Sequence, residues 1–236
     1  MLCHPVPDRE ETQEGKQMKI LVCSCDRNWD LWMPFHHCME KYWNEHPEII
    51  YKTETKDNPY YKTIKKDYLL TEWTKGIRET LAEIDDDQIL LLMDDIFIRQ
   101  PVDTERIKYA SENLKGNVAL MNFEKSFDLN DKPTDLEGFR KRMNGSPWVV
   151  SIMCGLWQKD KLIQVISDDC TPWDVESRQN TCGFDYYINS GDYIIDWGYK
   201  TYRPVGIVRG CWSKETLEFL NAHEGLTIEW NGRGLW

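Results

Sequence analysis

The stretch Ile89-Leu90-Leu91-Leu92-Met93-Asp94-Asp95-Ile96-Phe97-Ile98 decides the fold. Five consecutive apolar residues without a helical period predict a strand buried on both faces, the kind found in parallel sheets covered by helices. Two carboxylates end it. Burying either one unpaired is costly, and two neighbours also repel each other. In open α/β sheets, ligands bind at the carboxyl ends of the strands. Asp94 and Asp95 therefore read in one of two ways. They are a pair poised for a divalent cation and a diphosphate, or they are a solvated switch from strand to loop.

Working outward, Met18-Lys19-Ile20-Leu21-Val22-Cys23-Ser24-Cys25 predicts a buried first strand closed by Asp26. Trp32, Phe35, Met39 and Trp43 follow at helical spacing, and Ile49-Ile50-Tyr51 predicts a second short strand. Thr71 is placed to cap a helix whose Trp73, Ile77, Leu81 and Ile84 form one stripe, and Asp85-Asp86-Asp87 reads as a solvated turn. Val118 to Met121 is a further strand candidate. This alternation implies right-handed crossovers in a mostly parallel central sheet flanked by helices, an α/β domain. The second half is irregular, with strand candidates at Trp148 to Met153, Tyr193 to Trp197 and Gly206 to Val208. Residues 1–17 read as a mobile tail and 18–236 as one domain.

Composition narrows the function. The chain has 236 residues, 41% apolar and 29% charged, with a net charge of −11. A polyanion binder that neutralises phosphates is basic, so general nucleic-acid binding is disfavoured. An anionic small substrate needs local cations or a metal. No run is long enough for a transmembrane segment, and the acidic opening residues argue against a secretory signal. The eight cysteines then read as reduced thiols in a cytoplasmic setting. Cys23, Cys25, His36, His37 and Cys38 match no common zinc spacing. Most of the 11 tryptophans are expected in the core, with a few as platforms for sugars or bases. Glycine-rich dinucleotide and P-loop motifs are absent, as is a nucleophile elbow.

Two later segments carry candidate chemistry. In Thr171-Pro172-Trp173-Asp174-Val175-Glu176, Thr171 caps a helix, Pro172 suits its first position and Asp174 closes a capping box. Glu176 has no such duty. It reads as a general base beside an aromatic residue or as a solvated helix carboxylate. In Arg203-Pro204-Val205-Gly206-Ile207-Val208-Arg209-Gly210-Cys211-Trp212, Arg209 beside Gly210 is either a phosphate donor or a rim residue paired with an acid.

These segments, in this order, resemble the GT-A-type nucleotide-sugar glycosyltransferases, in particular the small glycosyltransferase-like proteins of bacterial polysaccharide clusters and phages. The likeness runs over roughly residues 18–215. It rests on Ile20 to Asp26 with Trp32, Pro34 and Phe35, the helix holding Trp73 and Arg78, and Asp94-Asp95-Ile96-Phe97. Ser151 to Trp157, Pro172 to Glu176 and Gly206 to Trp212 complete it. The resemblance implies transfer of a sugar from a nucleotide-sugar donor to a glycan acceptor, assisted by Mn2+ or Mg2+ at Asp94 and Asp95. It implies donor contacts from Ser24, Asp26, Trp73, Arg78, Asp94 and Arg209, with Asp26 near the base or ribose. Glu176, with Asp174 as second choice, matches the acid that deprotonates the acceptor in inverting members. His223 would be a late metal ligand. Competing readings are a nucleotidyltransferase, a metal-dependent phosphohydrolase, and a non-catalytic carbohydrate-binding protein.

Overall fold

In the computed structural model, the described residues are 18–126, 128, 130–198, 205–229 and 231–236. The expected tail at 1–17, and Arg203 and Pro204, lie outside them.

The aliphatic stretch forms β4 (Gln88–Met93), beside β1 (Met18–Cys23) in parallel register, with Cys23 opposite Met93. Alternation sorts their side chains onto the two faces of the sheet. Ile20, Val22, Leu90 and Leu92 enter one core, while Leu21, Cys23, Ile89 and Leu91 enter the other. β2 (Ile49–Thr53) flanks β1 and β3 (Lys62–Lys65) flanks β2, both in parallel. Across the first core lies α1 (Trp29–Tyr42), burying Leu31, Trp32, Phe35 and Met39. Across the second lies α2 (Trp73–Ala82), burying Ile77 and Leu81. Thr71 does not cap α2. It sits in a 3-10 turn (Leu70–Glu72), and the helix starts at Trp73 without a side-chain cap. Asp86 is not simply solvated, because Lys19 Nζ lies 3.1 Å from its carboxylate.

After α3 (Thr104–Asn113), which is capped by Asp103, come β5 (Val118–Lys125), β6 (Lys132–Pro133), β7 (Phe139–Lys141) and β8 (Cys154–Gln158). Then follow α4 (Lys159–Val165), α5 (Pro172–Arg178) and β9 (Asp185–Asn189). The nine-stranded order is β3-β2-β1-β4-β8-β5-β9-β7-β6. β8 is antiparallel to β4 and β5, and β7 to β9, while every other strand points one way. The mostly parallel, helix-flanked sheet expected from the sequence is what the chain forms.

Two strand expectations need correction. Residues 148–153 are irregular, with Trp148 at φ 51°, and the strand begins at Cys154. Residues 193–197 are also irregular, although Ile194, Ile195 and Trp197 are buried in the core. Their backbone is satisfied by neighbouring loops, with Asp103 N–H donating to Ile194 C=O and Arg99 N–H to Asp196 C=O. The apolar runs reported burial and not pairing.

A small hairpin, β10 (Ile207–Val208) and β11 (Cys211–Trp212), follows and leads into α6 (Lys214–Glu218). Arg209 and Gly210 form its two-residue turn, both with positive φ (51° and 79°), as a primed turn requires. Gly210 therefore serves the turn. No described helix is long and apolar enough to cross a membrane.

Candidate active site

Cys23, Lys52 and Met93 stand side by side at the carboxyl ends of β1, β2 and β4. Above them opens a cavity of about 500 Å³, whose walls include Ser24, Asn28, Glu54, Trp73, Asp94, Asp95, Trp173, Glu176 and Arg209.

Asp94 is 3% exposed and held on both oxygens: Ser24 Oγ–H donates to Oδ2 at 2.5 Å and Asn28 Nδ2–H to Oδ1 at 3.0 Å. Ser24 in turn accepts from Trp32 Nε1–H at 2.8 Å. Burial, and then the charge of Asp95, pushes Asp94 well above the usual carboxylate range. Burial raises Asp95 as well, against a weak hydrogen bond from Ile207 N–H at 3.4 Å. Among the described residues neither carboxylate has an ion-pair partner in contact. A desolvated acidic pair without a contacting cation suits a hard divalent ion. No three His, Cys, Asp or Glu residues converge among the described residues. The chain would thus offer two carboxylates, leaving the remaining positions to water and substrate phosphates, as Mg2+ commonly takes them.

The expected donor residues separate into two groups. Ser24, Trp73, Asp94 and Arg209 line the cavity. Asp26 and Arg78 are not among its lining residues. Asp26 accepts from the backbone N–H groups of Glu54, Thr55 and Lys56 and from the Thr55 hydroxyl, so it staples that loop to the end of β1. Arg78 donates to Ile166 C=O at 2.6 Å and to Asp169 at 2.5 Å, clamping the loop before α5. Both are polar residues consumed by loops that the sequence does not show them meeting. The Arg209 guanidinium lies 4.8 Å from the Trp236 ring centroid at the cavity edge. His223 is exposed, stacks on Phe219 and lies outside the cavity lining.

A second cavity, also about 500 Å³, adjoins the first and is lined by Glu124, Lys125, Arg142, Trp148 and Ser151, among others. Met153 and Glu176 line both. α5 carries Glu176 to this shared wall. The capping box holds the helix start: Thr171 Oγ1 accepts from Asp174 N–H at 3.1 Å, and Asp174 accepts from Thr171 N–H at 3.0 Å. Asp174, the second candidate for a base, is thus engaged in the cap and lines neither cavity.

Glu176 Oε1 accepts from Ile152 N–H at 3.1 Å and lies 3.3 Å from Ser151 Oγ, while Oε2 accepts no hydrogen bond among the described residues. Burial, then the Glu124 carboxylate, raises its proton affinity, and the Ile152 N–H and Ser151 hydroxyl oppose this. Ser151 Oγ also lies 2.8 Å from Glu124. Its single proton serves one carboxylate at a time. Glu124 escaped the sequence reading although it carries the same signal as Asp94, a carboxylate ending an apolar strand. Thr171→Ala removes the cap and is expected to cost about 1 kcal/mol. For a chain of this size that is a fall in Tm of about 2–4 °C in a thermal melt.

No protein-family model and no curated protein matches the chain. Solved structures do resemble it. A nucleotidyl transferase from Methanothermobacter thermautotrophicus aligns over 76% of this chain and 89% of its own, at 11% identity and TM-score 0.52. A CMP:2-keto-3-deoxy-manno-octonic acid synthetase complexed with CTP aligns over 89% and 98%, at 11% identity and TM-score 0.52. Against the bifunctional IspDF of Campylobacter jejuni the alignment covers 75% of this chain but spans only 50% of that one, at 12% identity and TM-score 0.45. The likeness is one of fold, and the chain has the GT-A-like, Rossmann-type α/β architecture with an acidic cavity at the carboxyl ends of the parallel strands.

Proposed function

We propose that the protein is a glycosyltransferase. It would move a sugar from a nucleotide-sugar in the first cavity to a hydroxyl of a glycan acceptor in the second. The observation that carries this reading is Glu176, the one ionisable side chain among the described residues that lines both cavities. A base at the wall between two substrates is where an acceptor hydroxyl must lose its proton. As the acceptor oxygen attacks the anomeric carbon, Glu176 Oε2 takes that proton. The bond from the same carbon to the diphosphate oxygen breaks, and nucleoside diphosphate leaves. A single displacement of this kind inverts configuration. The raised proton affinity of Glu176 brings its basicity closer to neutral pH.

Asp94 and Asp95 are the residues to hold Mn2+ or Mg2+, an ion that when bound neutralises charge on the departing diphosphate. Ser24 and Asn28 keep Asp94 oriented. Arg209 adds a cation at the mouth. Trp173 and Trp148, 66% and 63% exposed, offer flat apolar faces to sugar rings, one at each cavity.

Nucleotidyl transfer is the second reading, favoured by the named activities of two of the structures that the chain resembles. The products separate the two. Incubation with nucleotide-sugars, Mn2+ and oligosaccharide acceptors should release nucleoside diphosphate only when acceptor is present, and EDTA should stop it. Pyrophosphate released from a nucleoside triphosphate and a sugar acid or sugar phosphate would replace the first reading with the second. Glycan binding indifferent to Asp95→Asn, with neither product formed, would leave a carbohydrate-binding protein.

A further inference from the structure

Lys52 is the most unusual charge in the molecule. It lies near the end of β2, is 4% exposed, and lines the first cavity. Among the described residues it forms no ion pair and no side-chain hydrogen bond. Lysines are almost never buried without a partner, because desolvating an ammonium is expensive. Its surroundings do not make up the deficit. Across the ladder lies the Cys23 thiol, which burial keeps protonated. On the other side lies α2, where a Cβ at Gly76 would stand 3.3 Å from both Lys52 Cε and the Tyr68 ring.

That glycine is a second, independent oddity. Gly76 sits inside a ten-residue helix at negative φ, where alanine is ordinarily preferred. The close approach of the Lys52 stem accounts for it. A helix propensity and an ion-pair partner have both been forgone at one spot, and the side chain so accommodated faces a cavity otherwise rich in carboxylates. Glu54, Asp94, Asp95 and Glu176 all line it. A protein of net charge −11 that takes an anion here needs a cation set into the wall.

We propose that Lys52 is the phosphate-binding residue of the first cavity and that its missing counter-ion is a phosphate group of the ligand. The proposal rests on the nucleotide-sugar reading for the identity of that ligand, the diphosphate of the donor, but the anion site can be tested without it. Lysine suits the task as a compact point charge on a flexible stem. Arg209 at the rim and Lys52 in the wall then hold the diphosphate from two sides.

The probe is inorganic pyrophosphate with Mg2+, titrated by calorimetry into the full chain and into Lys52→Met. Lys52→Gln serves as a second variant of similar reach that keeps a polar end. Pyrophosphate should bind the wild type and bind both variants at least about tenfold more weakly, as expected for a lost charge-assisted contact. Without ligand, Lys52→Met should melt at the same temperature as the wild type or a few degrees higher, because a buried charge without a partner has been removed. A lower Tm for both variants without ligand would make Lys52 a structural residue and overturn the proposal. So would unchanged pyrophosphate affinity, or no pyrophosphate binding by the wild type. The two readings fail separately. Pyrophosphate held through Lys52 while no nucleotide or nucleotide-sugar binds more tightly upholds the site and ends the donor assignment. Nucleotide-sugar binding that ignores Lys52→Met does the reverse.

Discussion

Arg233→Met should lower stability by about 3–5 kcal/mol, the usual cost of stripping one partner from a buried ion pair. At about 2–4 °C per kcal/mol for a chain of this size, Tm should fall by roughly 10 °C. Arg233 and Asp30 have side chains 2% and 0% exposed, and Arg233 Nε donates to both Asp30 oxygens, at 3.0 and 3.3 Å. Asp30 also accepts from Trp212 Nε1–H at 3.0 Å. Arg233 goes on to donate to Arg27 C=O, to Gly210 C=O and to Asn28 Oδ1. One guanidinium thus ties together the chain's end, the start of α1 and the hairpin turn that carries Arg209. Removing it leaves the Asp30 charge buried among apolar neighbours. Adding Asp30→Asn to Arg233→Met removes that charge and keeps an acceptor for Trp212, so much of the lost stability should return. The damage should also reach the cavity, because Asn28 is one of the two donors that hold Asp94. A single variant that melts within about 1 °C of the wild type would show that the network bears no weight.

No local signal announces that network. Arg233 sits in the short polar stretch Asn231-Gly232-Arg233-Gly234, and its role appears only when the far end of the chain folds back on α1. The reverse holds for β1, β4 and the α1 stripe, where burial on two faces or one writes a period into the sequence that can be read without partners. The capping box of α5 is legible for the same reason, since all its groups lie within four residues. Thr71 shows the limit of such reasoning: a capping residue in good position is overruled when a 3-10 turn intervenes and the helix starts two residues on. Asp26 and Arg78 show another limit. A polar residue at a strand end or on a helix advertises that it needs partners, but not whether those partners are a ligand or a loop 28 to 91 residues away. Lys52 left a fainter trace in two places, a lysine following Ile49-Ile50-Tyr51 and a glycine amid a helical stripe. Each is unremarkable until the sheet and α2 are seen in contact.

Glu176→Gln is expected to lower turnover by about 10²–10⁴-fold with little change in donor affinity, the signature of a lost general base. Gln retains an oxygen to accept the Ile152 N–H, so the local geometry survives. The pH behaviour separates this from simple disruption. The folded protein holds the Glu176 proton more tightly than an ordinary glutamate does, chiefly through burial. Wild-type kcat, which needs the deprotonated form, should therefore fall away at a higher pH than an ordinary glutamate would impose, and Glu176→Gln should lose that limb of the profile. Stability runs the other way. A raised folded-state pKa stabilises the protein fully below the ordinary glutamate value, and that contribution disappears as pH rises through the raised value. Gln mimics the protonated form. Glu176→Gln should thus melt at or above the wild-type temperature at neutral pH, the difference closing in acid as the wild type takes up its own proton. An inactive Glu176→Gln that also melts well below the wild type would point to a structural role at the shared wall. An inactive, stable Asp174→Asn beside an active Glu176→Gln would move the base two residues back along the helix, to a carboxylate the fold has already committed to its cap.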